Sequence, residues 1–357
     1  MGNDTCRDVC MELVRSDVAA IASAGFARRI AGKWRQTAAT STGSQLLFDL
    51  ASVTKPLVAV AFATSELDRE AHLATFVEET MGTHAGALPI ELLFAHRAGL
   101  DAHGQLWTPL LEGRAIDRAE ALRAAASMVR ADVLGDAPFA PVYSDLGYML
   151  AGEALARARG QGRADAVVHE RIVLPLGLEG KLGSARTLER SGVALRDLAA
   201  PTEVVPWRDD GGAVRGRVHD ENAWALAPDG IQGHAGAFGT IEAVLRFGEA
   251  VLDALADRAS PLSSQRESLA WLVRERAGGS LRAGFDGKSE GASSIGTILG
   301  PRTFGHLGFT GTSLWIDPDA DVVVALLTNR VFPTRDNVKI RAARPWAHDE
   351  LARAALR

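Results

Sequence analysis

Phe48-Asp-Leu-Ala-Ser-Val-Thr-Lys55 is the most informative stretch of the chain, because it places a serine three residues ahead of a lysine. At the start of a helix, this spacing puts Ser52 and Lys55 on one face, one turn apart. A serine hydroxyl is a weak nucleophile until a neighbouring base takes its proton, and an amine can do so. The apolar, Ala-rich run at 56–63 predicts a buried helix behind the pair. Alone the pair is a weak signal, since a serine near a helix start followed by a lysine is common.

Two further motifs follow, each beside a predicted secondary-structure element. Tyr143-Ser-Asp145 opens a second apolar, Ala-rich helix that we expect to run to about Arg159. Phe304-Gly-His-Leu-Gly-Phe-Thr-Gly-Thr312 leads into a predicted strand. The order Ser-x-x-Lys, Tyr-x-Asp and His-x-Gly resembles the three-motif pattern of serine β-lactamases and penicillin-binding proteins.

The closer resemblance is to the class C β-lactamase and esterase branch of these hydrolases, where the second motif is Tyr-x-Asn and the third is Lys-Thr-Gly or His-x-Gly. Other segments also resemble that branch, so the likeness covers about residues 45–350. These segments are Leu92-Leu-Phe-Ala-His-Arg-Ala-Gly-Leu100, Val218-His-Asp-Glu-Asn222, Gly233-His-Ala-Gly-Ala-Phe-Gly239 and Leu327-Thr-Asn-Arg-Val-Phe-Pro333.

The resemblance implies an α+β fold of the β-lactamase/transpeptidase type. In this fold an antiparallel sheet is flanked by the N- and C-terminal helices, and an all-helical lobe is inserted. We expect one catalytic domain over 1–357, with an α/β lobe from about 1–60 and 236–357 and a mostly helical lobe from about 61–235.

The hydrophobic pattern predicts elements in a compatible order. Helices are expected at 10–24, over much of 56–160, and at 241–256, 267–276 and 345–356. Strands are expected at 24–34, 45–50, 311–317 and 321–328, the last two forming a hairpin. We therefore expect the strands near 24–34 and 311–328 to share one antiparallel sheet, with Ser52 at the start of a buried helix beside it.

The resemblance also assigns roles to the motif residues. Ser52 is expected to attack an acyl carbonyl and form an acyl-enzyme, while Lys55 and Tyr143 transfer protons in an order that the sequence leaves open. The ammonium near Tyr143 favours the tyrosinate, because an opposite charge lowers the pKa of a phenol. The backbone amides of Ser52 and Phe309 are expected to bind the oxyanion.

Two departures from the family pattern bear on the substrate. Asp145 replaces an asparagine, so an amide becomes a carboxylate that only accepts hydrogen bonds when ionised. His306 replaces the usual lysine and removes an obligatory cation. Together with Gly308, these residues are expected to line the substrate site, and both changes favour a neutral ester or amide over an anionic substrate.

The leading hypothesis is therefore an esterase-like serine hydrolase. The alternatives are a β-lactamase or D-amino-acid peptidase on the same scaffold, and a non-catalytic binding or scaffolding member of the family. The presence of Ser52, Lys55 and Tyr143 together argues against the non-catalytic alternative. The sequence leaves the oligomeric state open.

Composition excludes several other classes. A net charge of −5 gives no basic footprint for nucleic acid, and the longest apolar runs are too short to span a bilayer. Residues 1–25 lack a continuous apolar core, which predicts no secretory signal and a cytosolic protein. We expect a small-molecule substrate and no cofactor.

Three other patterns are decoys. Gly287-Lys-Ser-Glu-Gly291 matches the nucleophile elbow of α/β-hydrolases, but it lacks the strand and helix that this elbow requires. His219, Asp220, Glu221 and His234 form no recognised metal-ligand spacing, so we predict no metal site. Cys6 and Cys10 are interpreted as an ordinary helix face rather than a disulfide.

Overall fold

The main sheet joins strands from both ends of the chain. The structure is a computed structural model that describes residues 2–208 and 211–357. Its six-stranded antiparallel sheet has the order β2-β1-β9-β8-β7-β6. These strands are β1 (Ala22–Ile30), β2 (Lys33–Thr40), β6 (Asp286–Gly287), β7 (Phe304–Leu307), β8 (Ser313–Asp317) and β9 (Val322–Thr328). A smaller sheet has the order β3-β5-β4, formed by β3 (Phe48–Asp49), β4 (Leu182–Ser184) and β5 (Ala237–Gly239).

Some helices cover the main sheet, and the others lie between β2 and β6 in the sequence. The helices are α1 (Gly2–Arg15), α2 (Thr54–Ala63), α3 (Ile90–Phe94), α4 (Thr108–Leu111), α5 (Arg118–Ser127), α6 (Asp145–Ala158), α7 (Ala164–Val168), α8 (Leu174–Leu176), α9 (Ala185–Arg190), α10 (Leu195–Leu198), α11 (Glu221–Leu226), α12 (Ile241–Leu255), α13 (Arg266–Val273) and α14 (Ile340–Leu356). Helices α1 and α14 pack on each other and on the sheet, and α12 packs on it as well.

Strand β9 shows why both faces of the sheet are covered. Its seven residues are all buried, and successive side chains point to opposite faces. Val322, Val324 and Leu326 pack with the apolar side chains of α1 and α14. Val323 and Ala325 join the larger core that includes α12 and α2. A strand buried on both faces reads as a continuous apolar run rather than an alternating one.

The predicted union of the N- and C-terminal strands is confirmed. Strand β1 pairs antiparallel with β9, with Phe26 opposite Val324. The hairpin of β8 and β9 is also confirmed, and α12 matches its predicted range to within one residue.

Several predicted boundaries are wrong. The strand expected at 24–34 is two strands, because the chain turns at Ala31 and Gly32, where φ is 47° and 79°. The first helix ends at Arg15 rather than near 24, and the last begins at Ile340 rather than 345. A short strand, β4, also occurs within the segment expected to be mostly helical.

Candidate active site

Ser52 lies in a tight turn, Ala51–Val53, that leads directly into α2. Ala51 has a φ of 46°, a left-handed conformation that is unfavourable for alanine and often marks functional sites. The buried carboxylate of Asp49 accepts the amide of Ala51 at 2.8 Å and that of His219 at 2.7 Å. The turn that presents Ser52 is thus held by the side chain of Asp49, which lies two residues before Ala51.

Lys55 is the centre of the hydrogen-bond network. Its side chain is fully buried in α2, and its Nζ lies 2.9 Å from Ser52 Oγ, 2.6 Å from Tyr143 Oη and 2.5 Å from Asp145 Oδ1. Burial lowers the pKa of Lys55, because it penalises the ammonium, while the charge of Asp145 opposes this. A lysine whose pKa is lowered releases its proton more readily and is a better base.

Tyr143 directly precedes the N-cap of α6 and completes the triangle. Its hydroxyl donates to Ser52 Oγ at 2.7 Å, and its ring stacks on His96 at 5.0 Å. Burial, followed by the negative charge of Asp145, raises the pKa of Tyr143 well above 10. The expected tyrosinate is therefore wrong: the carboxylate that replaces asparagine opposes the anionic phenol.

Asp145 opens α6 and is almost fully buried. One carboxylate oxygen bonds Lys55 and the other lies 2.8 Å from Nδ1 of His103, a residue the sequence did not single out. Burial alone would raise the pKa of Asp145, but the charge of Lys55 and the hydrogen bond from His103 hold it well below its usual value. The carboxylate is thus ionised, and its charge is compensated by its two partners.

The third motif is joined to the segment just before Ser52 by hydrogen bonds from two threonine hydroxyls. The hydroxyls of Thr310 and Thr312 donate to the carbonyls of Asp49 and Leu50 at 2.7 and 2.8 Å. A side chain at Gly308 would place its Cβ 2.0 Å from Thr312 Oγ1, so only glycine fits there. These bonds fix the loop that carries Phe309 against the turn that carries Ser52.

His306 projects from β7 toward the same site and carries no charge at neutral pH. Its ring centroid lies 6.0 Å from that of Tyr143. Burial, with the positive charge of Lys55, lowers the pKa of His306 to about 3. The neutral imidazole therefore does not supply the cation that a lysine would place here.

Two arginines brace the Phe309 loop from behind. Arg344 of α14 donates to the carbonyls of Gly308 and Thr312 at 2.6 and 3.1 Å. Arg330, just after β9, donates to the carbonyl of Phe309 at 2.7 Å and stacks over its ring. Sequence patterns gave no signal for either, because the loop carbonyls that they bond lie 21 or more residues away in the sequence.

The side chains surround a cleft of about 810 Å³. Four acidic side chains line it, of which Asp145 pairs with Lys55, Asp220 with His234 and Glu221 with Arg335. Three arginines also line it and form no ion pair with any carboxylate of residues 2–208 and 211–357. These are Arg330, Arg341 and Arg344. The cleft therefore contains cations, although the site was expected to lack the one that a lysine at position 306 would supply.

The residues considered as metal ligands form hydrogen bonds and ion pairs with other side chains instead. His219 pairs with Glu203 at 3.0 Å, and His234 pairs with Asp220 at 2.8 Å. Within the described residues, no cluster of His, Cys, Asp and Glu has the arrangement of a metal site. None of the helices described is both long and apolar enough to cross a bilayer. Cys6 and Cys10 are buried free thiols on α1.

Comparison with known sequences identifies a family for most of the chain. The family model described as Beta-lactamase matches residues 13–345. An N-acetylmuramyl-L-alanine amidase of Bacillus subtilis (strain 168) is 25% identical over 333 residues, which cover 87% of this chain and 74% of the amidase. A putative D-alanyl-D-alanine carboxypeptidase of Escherichia coli (strain K12) is 27% identical over 321 residues, or 83% and 71% of the two chains.

Solved structures with the same fold span nearly the whole chain. A class C beta lactamase from Rhodobacter sphaeroides superposes with a TM-score of 0.68 at 16% identity and covers 99% of this chain and 100% of its own. EstCE1, a hydrolase with promiscuous acyltransferase activity, gives 0.67 at 18% identity, covering 96% and 98%. At these identities the likeness establishes the fold alone.

Proposed function

The chain belongs to the β-lactamase family of serine hydrolases, and from this premise we propose that it hydrolyses a small ester or amide through an acyl-enzyme on Ser52. The observation that carries the proposal is the triangle at the cleft. Ser52 Oγ lies 2.9 Å from Lys55 Nζ and 2.7 Å from Tyr143 Oη. Both groups are within reach of the proton that the nucleophile must lose.

Lys55 is the better candidate for the general base. Burial lowers its pKa, whereas burial and Asp145 raise the pKa of Tyr143, so the phenol keeps its proton at neutral pH. In the proposed first step, Lys55 takes the hydroxyl proton as Ser52 Oγ bonds the acyl carbon. Tyr143 then passes a proton to the leaving group and is reprotonated from Lys55. Water repeats the sequence to release the acid.

The oxyanion that forms on the carbonyl needs donors already in place. We assign this role to the backbone amides of Ser52 and Phe309, as the family pattern implies. The close approach of their two segments supports the assignment, because Thr310 and Thr312 tie the Phe309 loop to the residues just before Ser52. The guanidiniums of Arg330 and Arg344 behind the loop add positive charge on the same side.

The charges of the cleft revise the expected substrate. A neutral ester was expected because Asp145 adds a negative charge and His306 lacks a positive one. Asp145 is compensated by Lys55 and His103. Arg341 is exposed at the cleft without a carboxylate partner among the described residues, and the buried guanidiniums of Arg330 and Arg344 lie behind the Phe309 loop. We therefore favour an ester or amide that carries a carboxylate, a class that includes D-amino-acid peptides and β-lactams.

Neutral ester hydrolysis is the second candidate. It is favoured by the neutral His306 at the position where β-lactamases usually carry lysine. A direct comparison of p-nitrophenyl acetate, an acylated D-alanyl-D-alanine peptide and a chromogenic cephalosporin distinguishes the candidates. The highest kcat/KM for either carboxylate substrate supports the first candidate, and the highest for the ester supports the second.

The nucleophile is tested by labelling with a fluorophosphonate, which reacts with activated serines irrespective of the natural substrate. We expect stoichiometric labelling of the native protein and none of Ser52→Ala, with an almost unchanged melting temperature because Ser52 is partly exposed. Ser127→Ala, on the exposed face of α5, is the matched control and should label normally. A native protein that is not labelled would instead support the non-catalytic alternative, and labelling of Ser52→Ala would place the nucleophile elsewhere.

A further inference from the structure

His103 connects the buried network to solvent. It lies in the loop between α3 and α4, and its Nδ1 is 2.8 Å from Asp145 Oδ2. The other oxygen of the same carboxylate bonds Lys55. The exposed fraction of the side chain falls from 67% at His103 to 9% at Asp145 and 0% at Lys55. The three side chains thus form a line from the cleft surface to the base beside Ser52.

We propose that His103 is a positioning residue that acts through Asp145: it orients the carboxylate, and its charge sets the pH at which Lys55 can accept the proton of Ser52. The proposal rests on the proposed acyl-enzyme function, in which Lys55 is the base. His103 is linked to Ser52 through Asp145 and Lys55.

The physical reason lies in the replacement of asparagine by Asp145. A full negative charge 2.5 Å from Lys55 stabilises the ammonium, which would keep the base protonated and inactive. A second cation on the same carboxylate weakens that stabilisation, because the ammonium then shares the anion with an imidazolium. An asparagine needs no such partner, which explains why a histidine accompanies the carboxylate here.

The surrounding charges favour a protonated His103. Its hydrogen bond to Asp145 raises the pKa of His103 above 6.5, burial opposes this, and the charges of Asp145 and Asp220 add to it. Lys55 acts in the opposite direction. His234, paired with Asp220 at 2.8 Å, also acts on Asp145. The other titratable side chains that interact with this carboxylate are Tyr143, His96, Asp220 and His306.

The sign of the effect follows from these charges. Below its raised pKa, His103 is an imidazolium that shares the negative charge of Asp145 with Lys55. The ammonium of Lys55 is then less stabilised, so Lys55 loses its proton at lower pH. Above that pKa, or when the imidazole is removed, Asp145 pairs with Lys55 alone and the pKa of Lys55 rises. Loss of the His103 charge should therefore move the rise in activity to higher pH.

The test is the pH profile of the second-order rate of fluorophosphonate labelling from about pH 5 to 10. His103→Gln keeps a hydrogen-bond donor but removes the charge, so its ascending limb should shift upward by at least about 0.5 pH unit with a similar plateau. His103→Ala should show the same shift and a lower plateau, because orientation is also lost. His72→Gln, at an exposed histidine, is the control and should leave the profile unchanged.

A double-mutant cycle identifies Asp145 as the mediator. Asp145→Asn should move the limb to lower pH, and adding His103→Gln to it should produce no further shift. An unchanged limb in His103→Gln, or an equal shift with and without Asp145, would overturn the proposal. An equal fall in rate at every pH would also overturn it, since that result indicates only a structural role.

An independent readout separates this proposal from the proposed function. The chain has only five lysines, so the side-chain carbon signal of Lys55 can be resolved by NMR and assigned with Lys55→Arg. His103→Gln should raise the pKa of Lys55 even if no substrate is turned over. A raised pKa in a protein that does not label would refute the acyl-enzyme function and leave the electrostatic coupling standing.

Discussion

Tyr143 provides the sharpest test of which residue is the base. Its phenol is held in the protonated form and donates to Ser52 Oγ at 2.7 Å. Tyr143→Phe should slow turnover of a peptide substrate by about 10²- to 10⁴-fold, the usual contribution of a positioned acid. The pH at which activity rises should remain, because that limb reports Lys55. The measurement is the pH profile of kcat/KM for an acylated D-alanyl-D-alanine peptide, whose amine leaving group needs a proton.

Tyr148 is a matched control, since it is the only other tyrosine. Its hydroxyl donates to the carbonyl of Phe94 at 2.8 Å rather than to Ser52. Tyr148→Phe should retain activity within a few-fold and lose about 1 kcal/mol of stability. If Tyr143→Phe instead abolishes the ascending limb, the phenol is the base and the assignment of Lys55 is wrong.

At the residue scale, the sequence predicted the groups whose spacing is local or whose motif is recognisable. Ser52 and Lys55 are one helical turn apart, so their contact follows from the spacing alone. His103 was missed because its partner, Asp145, is 42 positions away and no periodicity links a loop to a distant helix start. The protonated state of Tyr143 was also missed, because it depends on burial that a sequence does not report.

At the scale of elements, the Phe309 loop is held by α14, and Arg344 tests that support. Arg344→Met keeps the length of the side chain but removes two hydrogen bonds to the loop carbonyls. We expect the labelling rate to fall about 10- to 100-fold as the Phe309 amide loses its position. The free energy of unfolding should fall by less than the loss of two hydrogen bonds suggests, because burial of the Arg344 guanidinium is itself unfavourable.

The control for that variant is Arg353→Met on the same helix. Arg353 is exposed and, among the residues that the structure describes, pairs with Glu350 alone, so its replacement should leave the labelling rate unchanged. Equal rates for Arg344→Met and the native protein would show that the loop is held without α14. The assignment of the Phe309 amide would then lose its main support.

Strand β7 depends on a glycine that lets it approach β8. A Cβ at Gly305 would lie 1.9 Å from the carbonyl oxygen of Leu314 and 2.5 Å from the Trp315 ring. Gly305→Ala should therefore cost more than about 2 kcal/mol in the free energy of unfolding. Chemical denaturation measures this, and Gly212→Ala, at an exposed position with open space, should be almost neutral. Similar stability of both variants would contradict the observed strand spacing.

Elements with a strong pattern were predicted better than their ends. The β1–β9 pairing followed from the family resemblance, and β9 from its continuous apolar run. The turn at Ala31 was missed because alanine rarely adopts a positive φ and so gives no turn signal. The true end of α1 was missed because the apolar residues after Arg15 continue the helical pattern into β1.

At the scale of the whole molecule, the cleft joins segments separated by most of the chain. Ser52 comes from the turn before α2, Asp145 from α6, His306 from β7 and Arg341 from α14. The sequence identified the motif members of this set but not the arginines, since a single arginine in a helix is usually a solvated surface residue. Only the return of α14 to the sheet brings Arg341 to the cleft.

Arg341 therefore carries the last prediction, which concerns substrate charge. Its side chain is exposed at the cleft and pairs with no carboxylate of the described residues. Arg341→Gln should lower kcat/KM for an acylated D-alanyl-D-alanine peptide about tenfold, or about 1.4 kcal/mol in the transition state, and leave p-nitrophenyl acetate unchanged. The loss should shrink at high salt, because mobile ions already screen an exposed charge in the native protein.

Arg123→Gln, an exposed arginine on α5, changes the net charge equally and should affect neither substrate. If Arg341→Gln and Arg123→Gln behave alike, the effect is one of overall charge and Arg341 does not contact the substrate. If the native enzyme also prefers the neutral ester, Arg341 does not select the substrate, and Arg330 and Arg344 serve only to brace the Phe309 loop. The esterase activity expected from Asp145 and His306 would then describe the protein better. The negative charge of Asp145 near Ser52 would outweigh the positive charge of Arg341 at the edge of the cleft.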